Sequence, residues 1–203
     1  MKVTVIDYGA GNLFSIEKAF KRLGCGVIIT NDLSKVKKSD KLVLPGVGHF
    51  GLGVQNIEKL KLKEIIYQKL EIDKIPILGI CLGMQLLLDF SEEGNCNGLG
   101  LINLRAKKFD LADLKVPHMG WNQIDIKGTL PLFKGIDGES LFYFVHSYYV
   151  ENVKSNKKIT YGLTNYGHPF ISAFCKENIY GVQFHPEKSH DQGLMLLENF
   201  KDI

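Results

Sequence analysis

The sequence lacks a strong excess of one charge and a long apolar run, and each absence excludes a class of protein. Its 203 residues carry 25 Lys and Arg against 22 Asp and Glu, and a net charge of +3 is too small to suggest nucleic-acid binding. The longest apolar stretch, residues 75–88, contains Pro76, Gly79 and Gly83 and is shorter than the ~20 residues of a membrane span. We therefore expect a protein that binds neither nucleic acid nor membrane.

The sequence also lacks cysteines at the spacing of a redox or zinc motif. The four cysteines show neither a C-x-x-C motif nor the spacing of zinc ligands; they are Cys25, Cys81, Cys96 and Cys175. Residues 1–7 have the pattern of a strand rather than that of a secretory signal peptide. These observations predict a soluble, cytoplasmic protein with free thiols, no metal and no cofactor.

What the sequence does contain is a core-forming composition with an excess of glycine. Hydrophobic residues make up 45% of the chain, which excludes disorder. The 21 glycines amount to about 10%, against a usual ~7%, and they follow no collagen-like period. The length is that of one α/β domain, so we expect residues 1–203 to form a single domain with several tight backbone turns.

Hydrophobic periodicity predicts strands that alternate with helices in the first half of the chain. A long helical pattern runs from Val54 to Leu70, and Leu82–Phe90 is predicted to be helical. After Gly94, short β-like runs dominate until a final helix at Asp191–Phe200. The prediction is an α/β fold with a central mixed, mostly parallel sheet flanked by helices and with antiparallel additions in the second half.

The most specific feature is a buried strand that runs into Gly79-Ile80-Cys81-Leu82-Gly83 and then directly into a helix. This is the nucleophile-elbow pattern with cysteine in place of serine. Glycines are needed on both sides because the turn is strained and passes close to its neighbours. The alternative interpretation of Cys81 is a buried structural cysteine between two core elements.

A thiol nucleophile needs a base and a group that orients the base. Of the six histidines, His185 follows a β-like run and precedes Pro186 and Glu187, so its ring can lie at a carboxyl edge of the sheet. Glu187 is close enough along the chain to accept a hydrogen bond from the imidazole. A histidine at a strand end is more often structural, but the Cys81 elbow favours a catalytic interpretation.

Two glycine-rich segments follow early strands. Backbone N–H groups of Pro45–Gly48, together with that of Leu82, are suited to an oxyanion hole, although the segment taken alone is an ordinary turn. Gly9-Ala10-Gly11 begins a dinucleotide-binding pattern, but Phe14 stands where the third glycine would be. Only the first segment therefore adds to the predicted site.

Together, the Cys81 elbow, the Pro45–Gly48 loop and Phe184–Glu187 resemble class I, triad-type glutamine amidotransferases. Further segments resemble, more narrowly, the glutaminase subunits of imidazole glycerol phosphate synthases of histidine biosynthesis; they are residues 7–12, 98–102, 117–122 and 185–189. The resemblance spans nearly the whole chain in order, and residues 117–122 are its most family-specific part. It implies the three-layer fold of these amidotransferases.

The resemblance also implies a role for each matching residue. Cys81 would attack the side-chain amide of L-glutamine, His185 would move the proton, and Glu187 would orient His185. The implied oxyanion hole consists of Val47, Gly48 and Leu82. The implied substrate-binding residues are Gly46, Gly48, Gln85, His146, Ser147 and Tyr148. The residues implied to lie near a partner interface are Tyr8, Asn12, Trp121 and Lys188.

The implied partner is a (β/α)₈ cyclase subunit in a heterodimer, which would use the ammonia to convert PRFAR into imidazole glycerol phosphate and AICAR. Because 203 residues leave no space for an acceptor site, we expect the ammonia to pass to that partner. We also expect the subunit alone to be poorly active, because a peptide of the strained Pro45–Gly48 loop would have to flip before its N–H faces the oxyanion. A paralogous subunit that supplies ammonia for amidation of a surface-polysaccharide sugar is the alternative. A binding module with a vestigial triad and a different cysteine hydrolase are hypotheses from other classes.

Overall fold

The computed structural model describes residues 1–152 and 159–203 as an α/β protein. The strands, numbered along the chain, are β1 (Lys2–Ile6), β2 (Gly26–Thr30), β3 (Lys41–Leu44), β4 (Ile77–Ile80), β5 (Leu88–Ser91), β6 (Cys96–Asn97), β7 (Ile102–Lys108), β8 (His118–Asn122), β9 (Asp125–Lys127), β10 (Phe142–His146), β11 (Tyr148–Val150), β12 (Thr160–Tyr166), β13 (His168–Lys176) and β14 (Ile179–Val182). The α-helices are α1 (Leu13–Arg22), α2 (Leu33–Val36), α3 (Phe50–Lys59), α4 (Leu62–Tyr67), α5 (Leu82–Leu86) and α6 (His190–Asp202). A π-helical turn (Gln68–Ile72) and two 3₁₀ turns (Pro131–Phe133 and Pro186–Lys188) complete the elements.

The centre of the main sheet is parallel, in the order β2-β1-β3-β4-β14. From β14 outward the sheet continues with β13, β11 and β7, whose pairings are antiparallel. Beyond them, β5 pairs with β7 in parallel and β6 with β5 in antiparallel orientation, while β12 and β9 branch from β13. Strands β8 and β10 form a separate antiparallel ribbon. The predicted mixed sheet, with a parallel centre and antiparallel additions in the second half, is confirmed.

Side chains of the central strands divide between two cores, as expected of a sheet covered on both faces. Leu42, Leu44 and Ile77 point into the core that also contains residues of α3, α4 and α5. Val43, Leu78 and Ile80 point into the opposite core, which contains residues of α1 and α6. This arrangement of helices, sheet and helices gives the three layers that the resemblance implied.

Two helix predictions were wrong in their extent. The pattern from Val54 to Leu70 is interrupted because Lys61 adopts a left-handed conformation with φ of 53°, which ends α3 and begins α4. Leu82–Phe90 contains only the short α5, and its second half is strand β5. Both faces of this leucine-rich segment are buried, so its periodicity does not distinguish helix from strand, and pairing with β7 decides.

Within residues 1–152 and 159–203, no helix is both long enough and apolar enough to cross a membrane. All four cysteines are unpaired.

Candidate active site

Cys81 lies at the carboxyl end of β4, in a sharp turn that leads directly into α5. Its backbone has φ of 52° and ψ of −109°, a conformation that L-residues rarely adopt. The Cys81 N–H donates to the carbonyl of Val182 over 2.8 Å, which ties the turn to the end of the neighbouring strand β14. The predicted strand–turn–helix elbow is therefore present.

The flanking glycines allow the turn to pack against adjacent backbone. A Cβ on Gly79 would lie 2.7 Å from the backbone of Gly83 and Met84, and a Cβ on Gly83 would lie 1.8 Å from the carbonyl oxygen of Leu44. No side chain fits at either position without movement of the backbone. Glycine is needed at these two positions because the backbone is closely packed there, not because φ is positive.

His185 and Glu187 follow β14, the strand that pairs in parallel with β4. Because parallel neighbours end at the same edge of a sheet, the pairing of Val182 with Ile80 brings His185 to the side of the sheet where Cys81 lies. Nδ1 of His185 lies 2.8 Å from Oε1 of Glu187, and both side chains are almost fully buried. This contact fixes the ring and directs Nε2 away from the carboxylate.

The environment of His185 favours its charged form. Burial alone would lower its pKa, but the Cys81 thiolate and the Glu187 carboxylate outweigh burial and raise the pKa to about 10. Among the described residues, Nε2 of His185 and Oε2 of Glu187 have no hydrogen-bond partner although both are buried. The free Nε2 is the position from which a histidine can exchange a proton with a bound molecule.

The Cys81 thiol has two neighbours of its own. Sγ lies 3.9 Å from the carbonyl oxygen of Val145, to which it can donate, and it accepts from Nε2 of Gln183 at 3.7 Å. Since α5 has only five residues, its dipole contributes little at Cys81.

A cavity of about 320 Å³ opens over Cys81. It is lined by Val47, Gly48, Cys81, Leu82, Gln85, Glu93, Pro117, Val145, His146, Ser147 and Tyr148. All of the residues predicted for the oxyanion hole are therefore in this set, as are four of the predicted substrate-binding residues besides Gly48. Among the described residues, the backbone N–H groups of Val47, Gly48 and Leu82 make no backbone hydrogen bond outside helices and strands.

Two residues, Gly46 and Tyr8, do not lie where the sequence analysis predicts them. Gly46 does not line the cavity: a Cβ there would lie 2.4 Å from Cβ of Leu82 and 2.6 Å from the N of Gly83, so this glycine lets the loop pack against the elbow. Tyr8 is fully buried and therefore does not itself face a partner. Its hydroxyl donates to the carbonyl of Pro45 and supports the same loop from behind.

The other residues predicted to lie near a partner keep accessible surface. Trp121 is 45% exposed and stacks on His190, with ring centroids 5.0 Å apart and planes 5° apart. Lys188 is exposed, with Nζ 5.8 Å from the ring of Tyr143. Asn12 is half-buried at the N-cap of α1, where its side chain makes no capping hydrogen bond.

Four residues of the site are not predicted from the sequence: Glu93, Pro117 and Val145 line the cavity, and Gln183 contacts Cys81. Glu93 brings a carboxylate to the cavity, held by a hydrogen bond from the N–H of Phe50 to its Oε2 at 2.9 Å. Gln183 is fully buried and bridges Gln85 and Cys81, accepting from Nε2 of Gln85 at 2.8 Å. An acidic residue in a loop and a glutamine in a strand end carry no local signal, because their partners come from distant parts of the chain.

No group of three or more His, Cys, Asp or Glu side chains in the described part of the chain is arranged to hold a metal ion.

Sequence comparison assigns a family to the chain that combines the elbow, the buried histidine–carboxylate pair and the three-layer fold. The model of the glutamine amidotransferase class-I family matches residues 4–203, so the chain belongs to this family.

Two relatives that match over nearly their full length are named as the same enzyme subunit. The chain is 48% identical over 199 residues to imidazole glycerol phosphate synthase subunit HisH 2 of Methanococcus maripaludis, covering 98% of both chains. It is 46% identical over 200 residues to subunit HisH of Haemophilus influenzae, covering 98% of this chain and 96% of that one.

Solved structures agree on the fold. A crystal structure of a glutamine amidotransferase superposes with a TM-score of 0.77 at 16% identity, covering 98% of both chains. The structure of PurLQS from Thermotoga maritima also gives a TM-score of 0.77, at 17% identity, over 99% of this chain and 97% of that one.

Proposed function

We propose that this chain is the glutaminase subunit of an imidazole glycerol phosphate synthase, one domain that hydrolyses L-glutamine and passes ammonia to a (β/α)₈ cyclase subunit in histidine biosynthesis. The observation that supports it most is Cys81 at the floor of a cavity of about 320 Å³, with the buried His185–Glu187 pair on the adjacent strand end. That volume suits an amino acid. The relatives named HisH support the pathway.

In this proposal, the Cys81 thiolate attacks the side-chain carbonyl carbon of glutamine, and the N–H groups of Leu82 and the Val47–Gly48 segment hold the resulting oxyanion. Nε2 of protonated His185 gives its proton to the leaving nitrogen, the C–N bond breaks, and ammonia departs from a γ-glutamyl thioester. His185 then takes a proton from water as the water attacks the thioester. Glutamate leaves, and Cys81 recovers its thiolate while His185 is again protonated.

The test is the replacement Cys81→Ala, assayed in the complex with the partner subunit. We expect glutamate formation to fall by about 10⁴-fold or more, because no other group on the cavity floor can form the thioester. Cys96→Ala is the matched control, since Cys96 is unpaired and does not line the cavity. A glutamine-analogue diazoketone should alkylate the wild-type chain at Cys81 only, detected by mass spectrometry.

Each competing hypothesis has its own outcome in this experiment. Full activity of the Cys81→Ala variant would refute the nucleophile. A complex that binds acceptor but never hydrolyses glutamine would indicate a vestigial triad, and failure of the diazoketone to label Cys81 would favour another cysteine hydrolase. The acceptor that stimulates glutamine turnover by the complex distinguishes histidine biosynthesis from amidation of a surface sugar.

Glu93 is proposed to bind the α-ammonium group of glutamine, because it is the acidic side chain that lines the cavity and a carboxylate is the natural partner of an ammonium. Glu93→Gln removes the charge and keeps an acceptor oxygen for the N–H of Phe50. We expect KM for glutamine to rise about tenfold, while kcat changes less.

Glu92→Gln is the matched control for Glu93, since Glu92 is exposed, does not line the cavity, and accepts from the N–H of Lys108. Steady-state kinetics of both variants in the complex measure the difference. An equal effect on KM in the two variants would contradict the assignment.

A further inference from the structure

Two histidines that the proposed mechanism does not use lie next to each other beside the cavity. His118 begins β8 and His146 ends β10, and the two are directly paired across this ribbon. They are 3% and 6% exposed, and Nδ1 of His118 lies 3.0 Å from Nε2 of His146. The ring of His118 also stacks on Tyr166, with centroids 4.0 Å apart.

The hydrogen-bond partners determine which nitrogen of each ring carries the proton. Nδ1 of His146 lies 2.7 Å from the carbonyl oxygen of Tyr148, and because a carbonyl only accepts, this nitrogen is the donor. Nε2 of neutral His146 must then accept, so Nδ1 of His118 donates to it. Nε2 of His118 in turn faces the side-chain amide of Asn122 at 3.4 Å. Burial favours the neutral form of both rings.

The same carbonyl of Tyr148 holds a residue of the cavity. It accepts a second hydrogen bond from Nε2 of Gln85 at 3.0 Å, and that nitrogen also donates to Oε1 of Gln183 at 2.8 Å. Gln183 donates to Sγ of Cys81 at 3.7 Å. Both N–H groups of the Gln85 amide are thus committed, and its Oε1 is the atom left to accept from a bound molecule.

We propose that His118 is a positioning residue of the glutaminase site, which acts through His146 to fix the Tyr148 carbonyl and, with it, the orientation of the Gln85 amide. The inference rests on the proposed function, because Gln85 matters only if glutamine occupies the cavity. Its specific consequence is that the cavity presents a hydrogen-bond acceptor at Gln85, which selects a ligand with an N–H group at that point. Without the His118 donor, His146 can move its proton to Nε2, and the Tyr148 carbonyl then loses the hydrogen bond from His146, one of the two that fix it.

Two replacements of His118 separate hydrogen bonding from packing. His118→Phe keeps an aromatic ring against Tyr166 and removes the donor, whereas His118→Asn loses the ring and keeps an N–H close to the position of Nδ1. The readout is alkylation of Cys81 in the full chain by the diazoketone analogue of glutamine, followed over a range of analogue concentrations. We expect the half-saturating concentration to rise about fivefold in His118→Phe, the factor of one ordinary hydrogen bond, and to stay within about twofold in His118→Asn.

A purely structural role of the ring would reverse this order, and His118→Asn binding the analogue no better than His118→Phe would overturn the proposal. The maximal alkylation rate, which depends on Cys81 and His185, should change less than the half-saturating concentration in either variant. If the wild-type chain is not labelled at all, the proposed function fails. If it is labelled and His118→Phe is indistinguishable from it, only the present inference fails.

A measurement on the wild-type chain does not depend on the folding of a variant. Nitrogen-15 NMR of histidine-labelled protein reports the protonated nitrogen of each ring. We expect His146 and His118 both to carry the proton on Nδ1 at neutral pH. A proton on Nε2 of His146 would overturn the proposal, because the Tyr148 carbonyl would then face a bare nitrogen.

Discussion

The Cys81 elbow and the Pro45–Gly48 loop border the same cavity, but they are held in place by different means. At the elbow, a Cβ on Gly83 would meet the carbonyl oxygen of Leu44 at 1.8 Å, so neighbouring backbone excludes other arrangements. In the loop, a Cβ on Gly48 would meet no described atom within 4 Å. The nucleophile is therefore fixed by packing on both sides, whereas the loop is closely packed at Gly46 and open at Gly48, the end proposed to bind the oxyanion.

The largest difference in the free energy of unfolding should appear when a methyl group is added at Gly83 of the elbow and, separately, at Gly48 of the loop. Gly83→Ala forces backbone atoms apart, and we expect a loss of about 3 kcal/mol or more in the free energy of unfolding. Gly48→Ala meets no atom but must adopt φ of +128°, a strain of about 1–3 kcal/mol, so this variant should still fold. Urea denaturation of both variants measures the difference.

Gly138→Ala is the control for this pair, since its φ is ordinary and a Cβ there meets no described atom within 4 Å; we expect a change within about 0.5 kcal/mol. Equal destabilisation by Gly83→Ala and Gly48→Ala would refute the contrast between elbow and loop.

A smaller difference should appear between Leu82 and Val47, two residues whose backbone N–H groups are both proposed to bind the oxyanion. Leu82 is 4% exposed and lies in the core, while Val47 is 42% exposed. Leu82→Ala should lower the free energy of unfolding by about 3 kcal/mol, and Val47→Ala by no more than about 0.5 kcal/mol. Thermal or urea denaturation decides between them, and a cost of Val47→Ala similar to that of Leu82→Ala would show that the loop is packed as firmly as the elbow.

The buried pair His118 and His146 differs from both the elbow and the loop, because its contribution to the free energy of unfolding depends on pH. Burial lowers the pKa of His118 to about 4 and that of His146 to about 3. In the unfolded chain, the pKa of each histidine is about 6.5. Below that pH the unfolded chain therefore binds more protons than the folded one, and the free energy of unfolding falls as the pH drops. Between about pH 7 and about pH 5, we expect a loss of about 2 kcal/mol for each histidine.

In His118→Asn, which lacks one of the two titrating groups, the loss on acidification should be smaller by about 2 kcal/mol. Urea denaturation of both proteins at the two pH values tests this, and identical pH dependence would contradict it. His185 has the opposite sign: its raised pKa contributes stability below about pH 6.5 that is lost as the pH rises toward about 10, outside the acid range.

Local patterns in the sequence predict the parts of the site that depend on neighbours along the chain. Gly79, Cys81 and Gly83 are close together in sequence, and His185 is two residues from Glu187, so the elbow and the buried pair are both predictable. The extent of α5 is not, because Leu88–Phe90 continues the helical period of α5 and only its pairing with β7 makes it a strand.

The same limit explains the missed residues. Gln183 directly follows β14 and is two residues from His185, yet its partners Gln85 and Cys81 are about a hundred positions away. Tyr8 was assigned to an interface because of the segment it belongs to, and the tertiary structure instead buries it behind the Pro45 carbonyl. The parallel pairing of β4 with β14 brings Gln183 beside Cys81, and the parallel pairing of β1 with β3 brings Tyr8 beside Pro45.

The stacking of Trp121 on His190 has an optical consequence. Trp121 is the one tryptophan of the sequence, so the intrinsic fluorescence of the isolated chain comes from this half-exposed indole. A protonated imidazole in contact with an indole quenches its emission, and covering the indole with protein shifts the emission to shorter wavelength. Trp121 also lies on β8, the strand that begins with His118. Unlabelled protein therefore carries its own optical signal for the binding of another protein over Trp121.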